Sequence, residues 1–298
     1  YTDEDQMNRF TFIQRVITNA GVKRIDRQAI GRSFNKVVEL NRPDIYHAFI
    51  RATNDTLEYT RNNDTYVPPF YFLKLFIDGI LELMLSNNIK VNILKTVHGR
   101  QYIKWKQFPK QNETVVVSVY INDIYNVPVG ELIQFKGEVR LHDAVAVELE
   151  LDAIMKEPSP DKKFVSLKKD NKKNKDPFVS ESSFEIPIHK QQNKRYAKLM
   201  NESFSIHTNP LIAKMVGLPQ PIVHGASFLT QCGSLFVSHF ADADFFTLKE
   251  FQGRFGLPVF PGETLTVQMN KNTLNNSYNF LVQNENGGIV FNHGLIRL

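Results

Sequence analysis

Four residues in the second half of the chain have the side chains or the position that acid-base chemistry requires. Glu202 precedes His207 by five residues, and His224 and Gly225 stand just before a long apolar run. A carboxylate and an imidazole can hold a water molecule and move its protons, because histidine titrates near neutral pH and burial raises the pKa of a carboxylic acid toward it. The pattern therefore indicates the addition or removal of water beside a carbon that exchanges a proton.

The stretch that contains these residues resembles the signature of a known family. It runs from Tyr196 to Gly225 and reads YAKLMNESFSIHTNPLIAKMVGLPQPIVHG. It is similar to the signature of the (R)-specific enoyl-CoA hydratases, which are also called hydratase 2 or MaoC-like dehydratases. The positions that match in order and spacing are Tyr196, Leu199, Ile206, His207, Pro210, Ala213, Gly217, Pro221, Ile222, His224 and Gly225.

Four positions differ from that signature where the chemistry is expected. Asn201 replaces Gly, Glu202 replaces Asp, Phe204 replaces Asn and Ser205 replaces Pro. Glu202 keeps the charge but moves it, and a misplacement of about 1 Å in a reacting group can cost on the order of 10²-fold in rate. Phe204 lacks the polar contact that Asn supplies. Two interpretations stay open for Glu202 and His207: a water-holding pair, or a surface carboxylate and a hydrogen-bonded inner histidine.

The elements that must position this stretch occur twice in the chain. The apolar segment from Phe70 to Leu85 predicts a buried helix, and the run that begins near His224 predicts another. Strand-like alternation follows each helix, and two short stretches recur, 97–101 as 251–255 and 108–115 as 260–265. A helix enclosed by a curved antiparallel sheet is the hotdog fold, and the resemblance implies two of them side by side. We therefore expect an α+β double hotdog.

The repeat also predicts the division of the chain. The predicted units are an N-terminal extension (1–30), a first hotdog without the catalytic signature that shapes the acyl-chain side (31–155), a linker (156–180) and a second hotdog that carries the signature (181–298). The linker is lysine-rich, with eight lysines against four acidic residues between Lys156 and Asp176. Since it is polar and lacks apolar periodicity, it is typical of a solvated connection.

Composition limits the classes of function. The 298 residues are 42% hydrophobic and 22% charged, which is typical of a globular protein. No apolar run is long enough to predict a membrane span. The net charge of +5 comes largely from the linker, where no aromatic interleaving or recognised motif accompanies the lysines. We therefore expect no nucleic-acid partner.

The resemblance implies a reaction and a set of roles. The reaction is hydration of 2-enoyl thioesters, carried on CoA or acyl carrier protein, to (R)-3-hydroxyacyl thioesters, or its reverse, in fatty acid metabolism. The N–H of Gly225 would face the thioester carbonyl at a helix start, where the helix dipole favours negative charge. The predicted catalytic residues are Glu202, His207 and Gly225, and the predicted substrate-binding residues are Phe204, Pro221 and His224. No metal and no cofactor beyond the thioester carrier are expected.

A second class of function remains open. A hotdog protein that has lost catalysis, a pseudoenzyme, would bind acyl thioesters or serve as a structural subunit of a larger complex. In either case we expect a homodimer or a larger assembly. The sequence pI near 9.1 favours the mitochondrial matrix, with peroxisomal and cytoplasmic locations as alternatives.

Overall fold

The computed structural model describes residues 14, 18–85, 89–157, 178–202 and 205–298. Within these ranges the strands are β1 (Ser33–Glu39), β2 (Thr96–Trp105), β3 (Thr114–Val127), β4 (Gly130–Leu141), β5 (Ala144–Met155), β6 (Ser182–Pro187), β7 (Glu250–Phe255), β8 (Thr264–Asn272), β9 (Ser277–Gln283) and β10 (Ile289–Arg297). The helices are α1 (Pro43–Thr53), α2 (Tyr71–Leu85), α3 (Gln192–Leu199), α4 (Pro210–Met215) and α5 (Gly225–Phe240). Short 3₁₀ turns and a two-residue hairpin complete the described elements.

The labelled strands form one antiparallel sheet in which each half has the same strand order. The order across the sheet is β1-β3-β4-β5-β2-β7-β10-β9-β8-β6. Helix α2 lies against β1, β3, β4 and β5, and α5 packs Phe228 against Phe291 and Phe236 against Phe280. Each half is therefore one long helix packed on an antiparallel sheet. The molecule has the expected α+β double-hotdog fold.

The two halves meet where β2 pairs with β7. At one end of this pairing Arg100 lies opposite Arg254. These two arginines occupy the same place in the repeated stretches 97–101 and 251–255. A residue that pairs with its own repeat lies next to a twofold axis, so an approximate twofold relates the halves. The backbone thus shows the duplication that the sequence predicts.

Two details of the first half differ from the simplest strand and helix pattern. A 3₁₀ turn occupies Ile93–Lys95, and β2 follows it from Thr96 to Trp105. Helix α2 is largely buried as predicted, but one of its faces carries an ion pair of Lys74 with Asp78 at 2.5 Å. That face borders a large cavity.

Other predictions fall partly or wholly outside the described residues. Most of the lysine-rich linker (158–177) lies outside them, as do Phe204 and most of the first 17 residues. Of the N-terminal extension, Ile25 and Arg27 are held by Glu131 on β4: the Ile25 N–H and the Arg27 guanidinium both donate to its carboxylate. Among the described helices, none is long and apolar enough to cross a membrane.

Candidate active site

Glu202 and His224 lie close together, although they belong to different elements of the fold. Glu202 follows α3, after Asn201 turns the backbone through a left-handed conformation with φ 53°. His224 is the N-cap residue of α5. The intervening segment is held by backbone hydrogen bonds from Ile222 to Ile206 at 3.2 Å and from Val223 to Val259 at 2.8 Å. These bonds fix the entry of the chain into α5.

His207 lies on the intervening segment and is oriented by both its backbone and its ring. Its N–H donates to Ser205 Oγ at 3.0 Å, and its carbonyl accepts from Asn193 Nδ2 at 2.8 Å. Its Nδ1 lies 3.0 Å from the carbonyl oxygen of Ile222. Because a carbonyl only accepts, Nδ1 carries the ring proton. Nε2 therefore presents a lone pair.

Glu202, His207 and His224 form one cluster. Glu202 Oε2 lies 2.7 Å from His224 Nε2. The rings of His207 and His224 are stacked, with centroids 3.7 Å apart and planes 20° from parallel. One side-chain nitrogen or oxygen of each residue lies within 4.8 Å of those of the other two. The predicted pair of Glu202 and His207 lies within this cluster, but the hydrogen-bond partner of Glu202 is His224 rather than His207.

The cluster sets the charges of its members. Burial raises the pKa of Glu202, but the hydrogen bond from His224 and the positive charge that each imidazole carries when protonated outweigh it and hold this pKa at about 2. Burial, together with the neighbouring His224, lowers the pKa of His207 to about 4. At neutral pH Glu202 is thus a carboxylate and His207 a neutral imidazole. His224 Nε2–H donates to the carboxylate.

Gly225 begins α5 beside the cluster. A Cβ at this position would lie 2.7 Å from Cζ of Phe255, so a side chain would force the ring to move. The first N–H groups of a helix have no partner within the helix, and the helix dipole adds partial positive charge there. The start of α5 can therefore donate to a carbonyl oxygen that develops negative charge.

A cavity of about 1710 Å³ reaches from this cluster into the first half. Its polar end is lined by the cluster and Gly225. Its walls in the first half come from β1, α1 and α2, with apolar residues next to charged ones: Phe34, Val38, Ile45, Ala48, Leu75 and Ile77, and Lys36, Arg42, Asp44, Arg51, Lys74, Asp78 and Glu82. An apolar chain can lie along the apolar part of these walls, with an attached carbonyl group at the cluster.

The remaining predicted site residues have different placements. Pro221 is half-buried and stands next to the cavity-lining residues Ile222 and Val223 without lining the cavity itself. Phe204 lies outside the described residues. His98 is not among the predicted site residues, but it lines the cavity beside Gly225. The irregular strand geometry that brings it there leaves no signal in a sequence pattern.

Glu202, His207 and His224 are also the ligand types that bind transition metals. The ring stacking opposes this use, because each lone pair lies in the plane of its own ring and two stacked, nearly parallel planes do not meet at one ion. His224 Nε2 is already engaged with Glu202. The geometry therefore favours proton chemistry at this cluster.

The comparison with protein families identifies a known domain in the second half of the chain. Residues 176–287 match the family model of the MaoC like domain. A peroxisomal enoyl-CoA hydratase 2 of Arabidopsis thaliana is 35% identical over 72 residues, which are 24% of this chain and 23% of that protein. The peroxisomal hydratase-dehydrogenase-epimerase of Saccharomyces cerevisiae is 25% identical over 75% of this chain and 26% of its own length. The chain thus spans about a quarter of these curated relatives.

The fold has relatives among solved structures. A MaoC-like dehydratase from Phytophthora capsici superposes with a TM-score of 0.71 at 17% identity, covering 91% of this chain and 96% of that one. At this identity the superposition speaks for the fold alone. It covers both halves, including the first, which the family model does not match.

Proposed function

We propose that this chain, whose residues 176–287 match the MaoC like domain, hydrates 2-enoyl thioesters to (R)-3-hydroxyacyl thioesters and catalyses the reverse dehydration. The observation that carries the proposal is the cluster of Glu202, His207 and His224 at the polar end of a long, largely apolar cavity. Curated relatives named as hydratases support the same reaction.

In the proposed reaction a water molecule bridges the Glu202 carboxylate and Nε2 of His207. As the water oxygen bonds to C3 of the enoyl group, one of its protons passes to Nε2. The electron pair of the double bond moves toward the thioester carbonyl, whose oxygen accepts from the Gly225 N–H. The proton then returns from His207 to C2. One hydrogen and one hydroxyl are added in total, so the reaction requires no redox cofactor.

His224 acts on this reaction through Glu202. Its hydrogen bond at 2.7 Å fixes the carboxylate on the side of the stacked rings, and it compensates for the extra methylene of Glu by anchoring the oxygen. The same bond keeps Glu202 ionised. We therefore assign His224 a positioning role.

The test is turnover of crotonyl-CoA and of a longer enoyl-CoA by the purified protein, followed through the loss of enoyl-thioester absorbance. The expected result is hydration that His207→Ala reduces strongly. Equal and negligible rates in both proteins would retire the enzymatic function.

A binding or structural role is the second candidate. The replacement of Asn by Phe204 and of Pro by Ser205 in the signature favours it, and so does the low pKa of His207, which makes this histidine a weak base. In that case the protein holds acyl thioesters without turnover. Tight binding of a saturated acyl-CoA combined with absent hydration would select this candidate.

We also propose roles for the segments of the chain, a cellular location and an oligomeric state. Residues 31–155 supply the acyl-chain side, 181–298 the reacting groups, and 156–180 the connection. We propose a peroxisomal location in place of the mitochondrial one, since several relatives are named as peroxisomal enzymes. A homodimer or a larger assembly is the proposed state, and its mass in solution tests it.

A further inference from the structure

His98 reaches the cavity because β2 contains a β-bulge. Along β2 the buried side chains are Gln101, Ile103 and Trp105, so strict alternation would turn His98 to the opposite face. The register against β5 shifts between His98 and Arg100, which leaves Gly99 as the extra residue. A bulge reverses the alternation beyond it. His98 is therefore turned to the cavity side of the sheet.

The surroundings of His98 place it at the start of α5. Its ring centroid lies 4.4 Å from that of Phe255, and its Nδ1 lies 3.5 Å from the point where a Cβ on Gly225 would stand. It lines the same cavity as Glu202 and His207. A residue of the first half thus adjoins the helix start to which we assign the thioester carbonyl.

The hydrogen bonds of Gln101 indicate which ring nitrogen faces the cavity with a lone pair. Gln101 Nε2 donates to the carbonyls of Tyr102 and Glu150, so its Oε1 must accept. This Oε1 and Nε2 of His98 are both buried without a well-aligned partner, although the two side chains are close enough to interact. A proton on Nε2 suits both atoms. Burial lowers the pKa of His98 to about 4 against the opposing effects of Gln101 and the Arg100 backbone, so the ring is neutral. With its proton on Nε2, Nδ1 is the acceptor.

The start of α5 therefore offers a donor and an acceptor side by side, the Gly225 N–H and Nδ1 of His98. A thioester of pantetheine offers the complementary pair: a carbonyl oxygen and, a short chain beyond the sulfur, an amide N–H. Resting on the function proposed above, we propose that His98 is a substrate-binding residue whose Nδ1 accepts a hydrogen bond from this amide. It recognises the pantetheine arm that CoA and acyl carrier protein share.

The experiment compares two saturated thioesters that differ in the amide. Butyryl-N-acetylcysteamine carries it, and S-ethyl butanethioate lacks it. Dissociation constants are measured by NMR titration of the whole protein, so no turnover is needed. His98→Leu is expected to weaken binding of the first compound about 5-fold, the usual worth of one hydrogen bond, and to leave the second unchanged. His98→Asn, whose side-chain oxygen can take the place of Nδ1, is expected to restore most of the loss.

His47→Leu is the matched control, since His47 is exposed and outside the cavity lining. Thermal unfolding of each variant checks that the fold is kept. Equal weakening of both thioesters in His98→Leu would mean lost packing and would overturn the proposal. Unchanged binding of both would overturn it as well. If neither thioester binds the unaltered protein, the proposed function itself fails, and this inference fails with it.

Discussion

The carboxylate of Glu202 accepts a hydrogen bond from Nε2 on the edge of the His224 ring, while His207 stacks on a face of that ring. The acid and the proposed base are thus linked through a third residue rather than directly. Removing the side chain of Glu202, His207 or His224 changes the contacts of the other two. Each residue therefore provides a separate test of the site.

Loss of the His207 imidazole tests the proposed base. For His207→Ala we expect kcat to fall on the order of 10²–10⁴-fold, the usual contribution of a positioned acid-base group, with a smaller change in KM. Steady-state kinetics with crotonyl-CoA measures both. His47→Ala, on the exposed face of α1, is expected to leave both unchanged. Comparable losses in the two variants would contradict the assignment.

The dependence of stability on pH follows from the two shifted groups. The pKa of His207 is about 4, below its ordinary 6.5, so the unfolded chain binds its proton first and stability declines as pH falls below 6.5. The pKa of Glu202 is about 2, below its ordinary 4.5, so its stabilising contribution is present above 4.5 and is lost as pH falls further. Both effects have the same sign.

Urea unfolding at pH 7 and pH 5 measures the first effect. We expect His207→Gln to reduce the loss of stability between these two pH values by on the order of 1 kcal/mol, because the variant lacks the titrating group. An identical pH dependence in the variant would show that His207 titrates normally in the folded protein.

Gly225→Ala tests the close approach at the start of α5. The added methyl group would lie 2.7 Å from the Phe255 ring and would displace either the ring or the helix start. We expect a loss on the order of 10²-fold in kcat, since such a displacement disturbs the N–H that faces the carbonyl. Gly21→Ala, which meets nothing within 4 Å, serves as the control in the same assay.

Gly233→Ala tests how the two halves pack. A Cβ on Gly233 of α5 would lie 2.1 Å from Cζ of Phe70, which directly precedes α2. We expect the free energy of unfolding to fall by about 1–3 kcal/mol, as overpacking does in other cores. Phe70→Leu replaces the opposing ring with a smaller side chain, so the double variant should lose less stability than the sum of the losses in the two single variants. Strictly additive losses would mean that residues 70 and 233 are not in contact.

The sequence could predict the fold because the patterns that indicate it occur twice in the chain. Apolar helices and the stretches 97–101 and 251–255 recur with the same order, and the strand orders of the two halves correspond. It could also predict that Glu202, His207 and His224 lie near one another, since the resemblance covers all three. Their partners depend on the turn at Asn201 and on hydrogen bonds across the intervening segment, neither of which a pattern contains.

His98 shows the limit most clearly. Its place in the strand pattern predicts an outward side chain, and a single unpaired residue, Gly99, reverses this. A bulge has no periodic signature, because it interrupts the period on which strand prediction rests. The fold of the second half could be predicted from its own sequence, but the cavity wall that the first half contributes could not.

The pairing of Arg100 with Arg254 has a consequence for the ancestry of the molecule. Since each strand at the seam lies against the repeat of itself, a separated second half would expose an edge whose natural complement is another copy of the same edge. Two such fragments would assemble into a symmetric particle with two equivalent reaction centres. The chain can be understood as that particle after gene fusion, and under the function proposed above its first half holds the substrate tail.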